Sequence, residues 1–262
     1  MAVIALARMT VADGLRQPLT WLTTLIAVVL VVLSYVFGMF NFETQDRIRM
    51  LCTAGVAVGV LNGLFLAVVG ASTAIHEELA SRTALTLFAK PMPRGSFLLG
   101  KALGIWLVVV LSLAVVALAH AAALGLALYT GFEDLGDNHD HGSLTQGLSV
   151  PWDAVIAAHL LSLAHTAILT CLAAVLALRL PLIANILACF ALFVLGHLLP
   201  GLDIMGAVLV PALAAFNIDD ALQLPGQRLS WTYCGTACLY AVLYCAGCLL
   251  VGLAVFKRQD IP

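Results

Sequence analysis

Long apolar runs separated by short polar connections make up most of the chain, and this alternation predicts an all-α membrane protein. Each run is long enough to cross about 30 Å of hydrocarbon as a helix. The six predicted transmembrane helices lie at about 19–40, 50–75, 98–128, 153–178, 181–200 and 231–256. We expect residues 1–262 to form a single transmembrane domain.

The segment before the first span, residues 2–17, has helical spacing of its own. One face of this segment carries Ile4, Ala7, Val11 and Leu15. The pattern predicts an N-terminal amphipathic elbow helix that lies on the inner membrane surface in contact with lipid. An unstructured lead-in is the alternative.

A second short apolar segment lies between the fifth and sixth spans. Residues 204–216 are too few to cross the membrane, and Pro211 interrupts them. We therefore expect one or two short re-entrant helices that dip into the outer leaflet, where the surrounding protein shields their backbone from lipid.

Composition and charge narrow the class further. Hydrophobic residues make up 63% of the chain and charged residues 10%, against roughly 45–50% and about 25% in soluble domains. A soluble globule and a disordered chain are excluded. The net charge of −2 and the scattered basic residues speak against a nucleic-acid partner. The seven cysteines lie in apolar runs, so no disulfide framework is predicted.

The distribution of Lys and Arg predicts the orientation in the membrane. With the N-terminus in the cytoplasm, nine basic residues fall on the inner side and three on the outer side. Basic residues concentrate in cytoplasmic loops. We therefore expect a multi-pass protein of the cell inner (cytoplasmic) membrane, with both termini in the cytoplasm.

The loop between the second and third spans is predicted to form a short helix from Glu77 to Ala89. Two acids begin it and Lys90 ends it, which suits the helix dipole, and Pro91 stops it. We expect both acids to face the cytoplasm. The spacing fits a docking element for a cytoplasmic partner and a solvated connector equally well.

A near match to a phosphate-binding loop follows this helix, at Gly95 to Lys101. Ala102 stands where such a loop needs a hydroxyl for Mg²⁺, and Pro91 and Pro93 precede it in place of a strand. We therefore predict that this chain binds no cofactor and is not itself an ATPase.

In three segments the sequence resembles the permease subunits of ABC-2 type (type V) transporters. The inner-loop pattern of that family is matched here by Glu77, Glu78, Thr83, Leu87, Pro91, Arg94, Gly100 and Lys101. Arg82 stands where the family usually has Gly. The other matching stretches are Pro211-x-Leu213-x-x-Phe216-x-Ile218 and the end of the chain, Phe256-x-Arg258-x-Asp260-Ile261.

The resemblance implies a transport subunit that is not an enzyme. Such a permease dimerises with a second copy or a paralogue, and each docks a separate ABC ATPase that binds ATP and Mg. The inner loop would be the coupling helix that docks this ATPase. The docking residues would be Glu77, Glu78, Arg82, Thr83, Leu87 and Arg94.

Polar side chains inside the spans have an unfavourable free energy in lipid, so these residues are candidates for a substrate path. The candidates are Asn62, His159, Ser162, Thr166 and Asn185. Helix packing is the competing interpretation, because Ser and Thr can bond to their own helix. Gly55, Gly59 and Gly63 share a face with Asn62, a spacing typical of close helix approach.

A membrane-embedded enzyme is the alternative function. It would use the intramembrane histidines His120, His159, His165 and His197, which the sequence places at scattered depths. Two sets of residues could suggest a metal, and we predict no metal site at either. They are the cysteines Cys234, Cys238, Cys245 and Cys248 on one helix face and the acidic loop from Asp134 to His141.

The predicted orientation can be tested by labelling single cysteines in a background that lacks the native seven. A cysteine at Asn138 should react with an impermeant reagent from outside the cell, because it lies in the predicted outer loop 129–152. A cysteine at Lys90 should react only after the membrane is opened. The reverse pattern would invert the orientation.

Overall fold

The computed structural model is all-α and describes residues 2–38, 44–80, 93–130, 149–199, 210–223 and 229–257. Its α-helices are α1 (Ala2–Arg16), α2 (Pro18–Gly38), α3 (Thr44–Ala80), α4 (Arg94–Thr130), α5 (Trp152–Leu176), α6 (Leu182–Leu198), α7 (Asp219–Gln223) and α8 (Trp231–Lys257). A short 3₁₀ helix, Leu213–Phe216, precedes α7.

Five of the described helices, α2, α3, α4, α5 and α8, are long and apolar enough to cross a membrane. The chain is therefore a multi-pass membrane protein, as the apolar runs predict. The remaining predicted span, 181–200, contains α6, whose 17 residues extend about 25 Å at 1.5 Å per residue. This helix is apolar but shorter than the other five.

Contacts at the two ends of the bundle show that the long helices alternate in direction. At one end, Leu6, Ile75, Phe97, Ala177 and Phe256 belong to a single buried cluster. This cluster joins α1, the end of α3, the start of α4, the end of α5 and the end of α8. The sequence predicts this end to be the inner one, and we call it the inner end.

The opposite end of the bundle, the outer end, contains the end of α2 and the far termini of α3, α4, α5 and α8. The hydroxyls of Tyr35 in α2 and Thr130 in α4 lie 3.1 Å apart there. Helix α6 begins near the inner end, where Asn185 bonds the Ala173 carbonyl, and near its end Gly196 lies against Leu213. With 17 residues it is not among the five described helices long enough to cross a membrane, so the predicted span 181–200 stays a prediction.

Helix α1 is present as predicted, and part of its surface is buried against the other helices. Leu6, Ala7 and Thr10 are buried, whereas Ile4 is 65% exposed. The orientation of α1 is set by α4, whose glycines leave room for it. A side chain at Gly100 would meet Leu6, and one at Gly104 would lie 2.8 Å from the Ala7 carbonyl oxygen.

The junction between α1 and α2 is closed by two side chains of α2. The Thr20 hydroxyl donates to the Gly14 carbonyl at 2.9 Å, and the Trp21 indole N–H donates to the Leu15 carbonyl at 2.7 Å. These carbonyls are at the end of α1, where helical partners are missing. The two bonds therefore fix where α1 ends relative to the first span.

Two short helices lie between α6 and α8, at Leu213–Phe216 and Asp219–Gln223. The first falls in the predicted segment 204–216, whose residues 204–209 lie outside the described residues, and the second lies beyond that segment. Leu213 and Phe216 are buried in the main core. Two tyrosines of α8 satisfy the backbone there. Tyr233 donates its hydroxyl to the Ala215 carbonyl at 2.6 Å, and the Tyr240 hydroxyl accepts the Ala212 N–H at 2.9 Å. Protein thus shields this irregular backbone from lipid.

The close approach of α1 and α4 predicts a difference between two glycines of the same helix. Gly104→Val should lower the apparent melting temperature in detergent, because its Cβ would lie 2.6 Å from the Thr10 Cβ. Overpacking of this kind costs about 1–3 kcal/mol. Gly125→Val is the matched control, since nothing lies within 4 Å of a Cβ at Gly125. Equal melting temperatures in the two variants would contradict this packing.

Candidate docking site and buried polar residues

The predicted coupling helix begins at the end of α3, and only its first residues are described. Arg82, Thr83 and Leu87 lie outside the described residues, so their predicted docking role stays a prediction. Glu77 lies on the last turn of α3, and Arg94 is the first residue of α4. For both of these residues the backbone alone is described.

Glu78 is not on an exposed surface, which corrects the prediction that both acids face the cytoplasm. Its carboxylate forms an ion pair with the Lys101 ammonium group, about two turns inside α4. The Lys101 side chain is 5% exposed and the Glu78 side chain 22%. A buried lysine needs a partner, because transferring an unpaired charge out of water is very costly. The pair therefore holds the end of α3 against the start of α4.

The residues that resemble a phosphate-binding loop have other contacts in the structure. Gly100 and Lys101 lie within the continuous helix α4, and the space beside Gly100 is filled by Leu6. The Lys101 ammonium group is engaged by Glu78. Its position in a helix and its carboxylate partner both differ from a lysine that reaches the phosphates of ATP.

Helix α1 closes the same region from the other side. Asp13 and Thr10 of α1 line a small cavity of about 50 Å³ together with Lys101. Three elements thus meet where the predicted coupling helix leaves the bundle: α1, the end of α3 and the start of α4.

Asn62 holds three helices together and is one of the predicted path residues. Its amide N–H donates to the Ser112 hydroxyl at 2.8 Å, and the Ser112 and Thr24 hydroxyls lie 2.6 Å apart. This chain of bonds joins α3, α4 and α2. The Asn62 Oδ1 atom has no hydrogen-bond partner among the described residues.

Asn185 forms a second clamp, near the inner end. Its amide nitrogen donates to the Ser72 hydroxyl at 2.8 Å and to the Ala173 carbonyl at 3.1 Å. The Cys189 thiol lies 3.6 Å from its Oδ1. Asn185 therefore fixes α6 to both α3 and α5, which is a structural contact.

Ser162 and Thr166 are buried and bond to their own helix, as the packing interpretation predicts. Ser162 donates to the Ala158 carbonyl at 2.8 Å, and Thr166 donates to the Leu163 carbonyl at 3.1 Å. The Thr166 methyl group fills the space left by Gly63. Of these two, only Ser162 also lines a cavity, in the outer half of the bundle.

His159 does not join the other path residues but forms a hydrogen-bonded pair with His120. His120 Nε2 lies 3.0 Å from the Leu51 carbonyl oxygen, which can only accept, so Nε2 carries the proton. His120 Nδ1 lies 3.0 Å from His159 Nε2. In a neutral His120 this Nδ1 accepts, so His159 Nε2 donates.

The His120–His159 pair depends on a glycine of α3. A side chain at Gly55 would meet the His120 ring, so the glycine spacing of α3 creates the room that the ring occupies. His165 and His197 form another pair, with ring centroids 5.6 Å apart. The four intramembrane histidines are therefore paired, which corrects their apparent scatter along the sequence.

Neither histidine pair belongs to a preformed metal centre in the described part of the chain. No group of three or more His, Cys, Asp or Glu side chains is arranged there to hold an ion. All seven cysteines are free thiols. Their positions in apolar runs predicted no disulfide framework. The acidic loop from Asp134 to His141 lies outside the described residues.

Sequence reasoning missed the Glu78–Lys101 pair and both histidine pairs. A signal for the first was available, since Lys101 lies near the start of an apolar span and such a lysine needs a partner. The histidine pairs gave no comparable signal. They depend on the rotation of α4, α5 and α6 about their axes, which contacts between helices determine.

Comparison with known families gives one match. A family model described as "Protein of unknown function (DUF2705)" matches residues 58–262. The match begins inside α3 and covers all elements that follow it. No family model of ABC-2 permeases matches the chain. No curated protein matches it.

The buried ion pair can be tested by a double-mutant cycle. Glu78→Gln and Lys101→Met should each lower the apparent melting temperature in detergent, because loss of one partner leaves a buried charge uncompensated, at a cost of up to about 3–5 kcal/mol. The double variant should lose less than the sum of the two single losses. Additive losses would show that the two side chains do not interact.

An exposed ion pair provides the matched control. Arg49 and Asp46 lie 2.9 Å apart with side chains 31% and 55% exposed. Such pairs contribute about 0–1 kcal/mol, so the parallel cycle with Arg49→Met and Asp46→Asn should show almost no coupling.

Proposed function

The chain belongs to the DUF2705 family, whose function is unknown, and we propose that it is the transmembrane permease subunit of an ABC transporter of the ABC-2 type. In this proposal the chain pairs with a second permease copy or a paralogue in the cell inner (cytoplasmic) membrane. A separate cytoplasmic ABC ATPase binds ATP and Mg and docks on the inner end of the bundle. The permease itself is not an enzyme.

The observation that carries the proposal is the Glu78–Lys101 ion pair. It ties α3 to α4 directly beside the segment that the ABC-2 resemblance assigns to the coupling helix. A displacement of that segment by a docked partner would therefore move α3 and α4 together, because a buried ion pair resists separation. A permease needs such a rigid connection if ATP binding in a partner is to move its helices.

The position of α1 supports the same function. One face of α1 packs on α4, and its other face leaves Ile4 and Met9 exposed beside Arg8 and Arg16. An exposed face that mixes apolar and basic side chains suits the boundary between lipid tails and headgroups. We interpret α1 as the elbow helix that anchors the inner end at the membrane surface.

The partner can be identified by purifying the tagged full-length chain from its native membranes in mild detergent. We expect an ABC ATPase to co-purify, and we expect the complex, but not the chain alone, to hydrolyse ATP. Glu77→Lys should weaken co-purification, because a reversed charge at a docking surface costs binding energy. Peptide mass spectrometry and ATP turnover are the two measurements.

Asp140→Lys is the matched control, since it makes the same charge change in the predicted outer loop. It should leave co-purification and turnover unchanged. If no ABC ATPase co-purifies with the wild-type chain, or if both variants behave like the wild type, the docking surface proposed here is wrong. Turnover by the isolated chain would also contradict the proposal.

A further inference from the structure

A cavity of about 250 Å³ lies in the outer half of the bundle, between α3, α5, α6 and the two short helices, and extends inward to about the middle of α3 and α5. It is not part of the proposed docking site, which lies at the inner end. Pockets for drug-sized ligands typically measure roughly 300–1,000 Å³. A ligand for this cavity must therefore be small.

Aromatic rings form one wall of the cavity. The His165 ring lies with its centroid 5.6 Å from that of Phe193 and 5.9 Å from that of Phe216. His197 packs on Phe193 with centroids 4.6 Å apart. The faces of aromatic rings carry negative electrostatic potential and attract cations.

His165 also offers an unused hydrogen-bonding atom. Its side chain lines the cavity and the residue is 2% exposed, yet Nε2 has no hydrogen-bond partner among the described residues. A buried polar atom without a partner is unfavourable, and a bound donor would remove that penalty. His197 contributes an acceptor as well. Its Nδ1–H donates to the Phe193 carbonyl at 2.9 Å, so Nε2 of the neutral ring is an acceptor.

The charge of the cavity is negative. Asp219 is the only Asp, Glu, Lys or Arg among its described lining residues. Its Oδ2 accepts one bond, from Asn217 Nδ2 at 2.9 Å. A carboxylate has room for several more.

We propose that this cavity is a binding site for a small organic ammonium ion. The ammonium group would donate to His165 Nε2 and to the Asp219 carboxylate, while its carbon atoms would pack on Phe193 and Phe216. The carboxylate and the ring faces both favour a cation that donates hydrogen bonds, and His165 Nε2 accepts such a bond in the tautomer that carries its proton on Nδ1. The site functions whether or not an ATPase is docked.

Two sources supply this chemistry at the outer face of a membrane. One is a free amine in solution, and the other is the headgroup of an ethanolamine lipid. Both would place the same ammonium group in the cavity. Ethanolamine itself is therefore the appropriate probe for either source.

Binding is measured on the full-length chain in a nonionic detergent, by calorimetry and by the shift of the melting temperature, at constant ionic strength. Ethanolamine should bind and stabilise the protein. Ethylene glycol, which has nearly the same shape but no charge, should do neither. Asp219→Asn should weaken ethanolamine binding about tenfold or more, because it removes the charged partner that the described lining supplies.

Asp220→Asn is the control for this variant. It removes an adjacent exposed carboxylate that does not line the cavity, so ethanolamine affinity should not change. If Asp219→Asn does not fold, Phe216→Leu replaces it, since it removes a ring face and keeps an apolar side chain. Phe216→Leu should also weaken binding.

Several results would overturn the proposal. The first is a wild type that fails to bind ethanolamine or that binds ethylene glycol equally well. The others are an Asp219→Asn or Phe216→Leu variant that binds ethanolamine as tightly as the wild type does, and a protein that Zn²⁺ stabilises and ethanolamine does not. Protein in nanodiscs then distinguishes the sources, and either result supports the proposed chemistry. Weaker ethanolamine binding in phosphatidylethanolamine discs than in phosphatidylglycerol discs identifies the headgroup, and equal binding identifies a free amine.

Discussion

The absence of water inside a lipid bilayer is the constraint on which the rest of this structure depends. Every backbone and side-chain polar group within the spans needs a partner that the protein itself supplies. Ser162 and Thr170 therefore donate to carbonyls four residues earlier in their own helices. Asn62 and Asn185 instead donate across helices and hold them together. The polar side chains within the spans thus define which helices are neighbours.

The same constraint explains where the helices come closest. Lipid tails are as apolar as leucine side chains, so close packing rather than burial from water must favour contact between helices. Gly55, Gly63 and Gly104 meet His120, Thr166 and Thr10, respectively, each on a different helix. In every case the glycine makes room for a polar residue. Small and polar residues therefore act together at these crossings.

Much of the fold could be predicted from the sequence because it follows from one periodic signal. Long apolar runs identified the five described helices that are long enough to span a membrane, and the interruption at Pro211 indicated short helical structure in a segment that contains Leu213–Phe216. The rotation of each helix about its axis could not be predicted in the same way. The spacing of residues 2–17 did not indicate that Leu6 and Thr10 of α1 pack on α4, because Gly100 and Gly104, which receive them, lie on another helix.

The candidate site was predicted less well than the fold, for a related reason. The segment around Glu78 was recognised from local spacing, but its partner Lys101 lies on another helix. Local spacing carries no information about such a partner, so the acid was expected to be solvated. The aromatic cavity in the outer half of the bundle likewise combines residues from α3, α5, α6 and α7, which no short sequence pattern connects.

The packing of α1 on α4 has a consequence for biosynthesis. Thr10 docks beside Gly104, so the surface that receives the first helix is made long after that helix has left the ribosome. Synthesis proceeds at roughly 5–20 residues per second, so for several seconds α1 can contact α2 but not α4. During that interval the membrane surface can cover the apolar side chains that later meet α4. Helix α1 thus cannot reach its final place until α4 has been made.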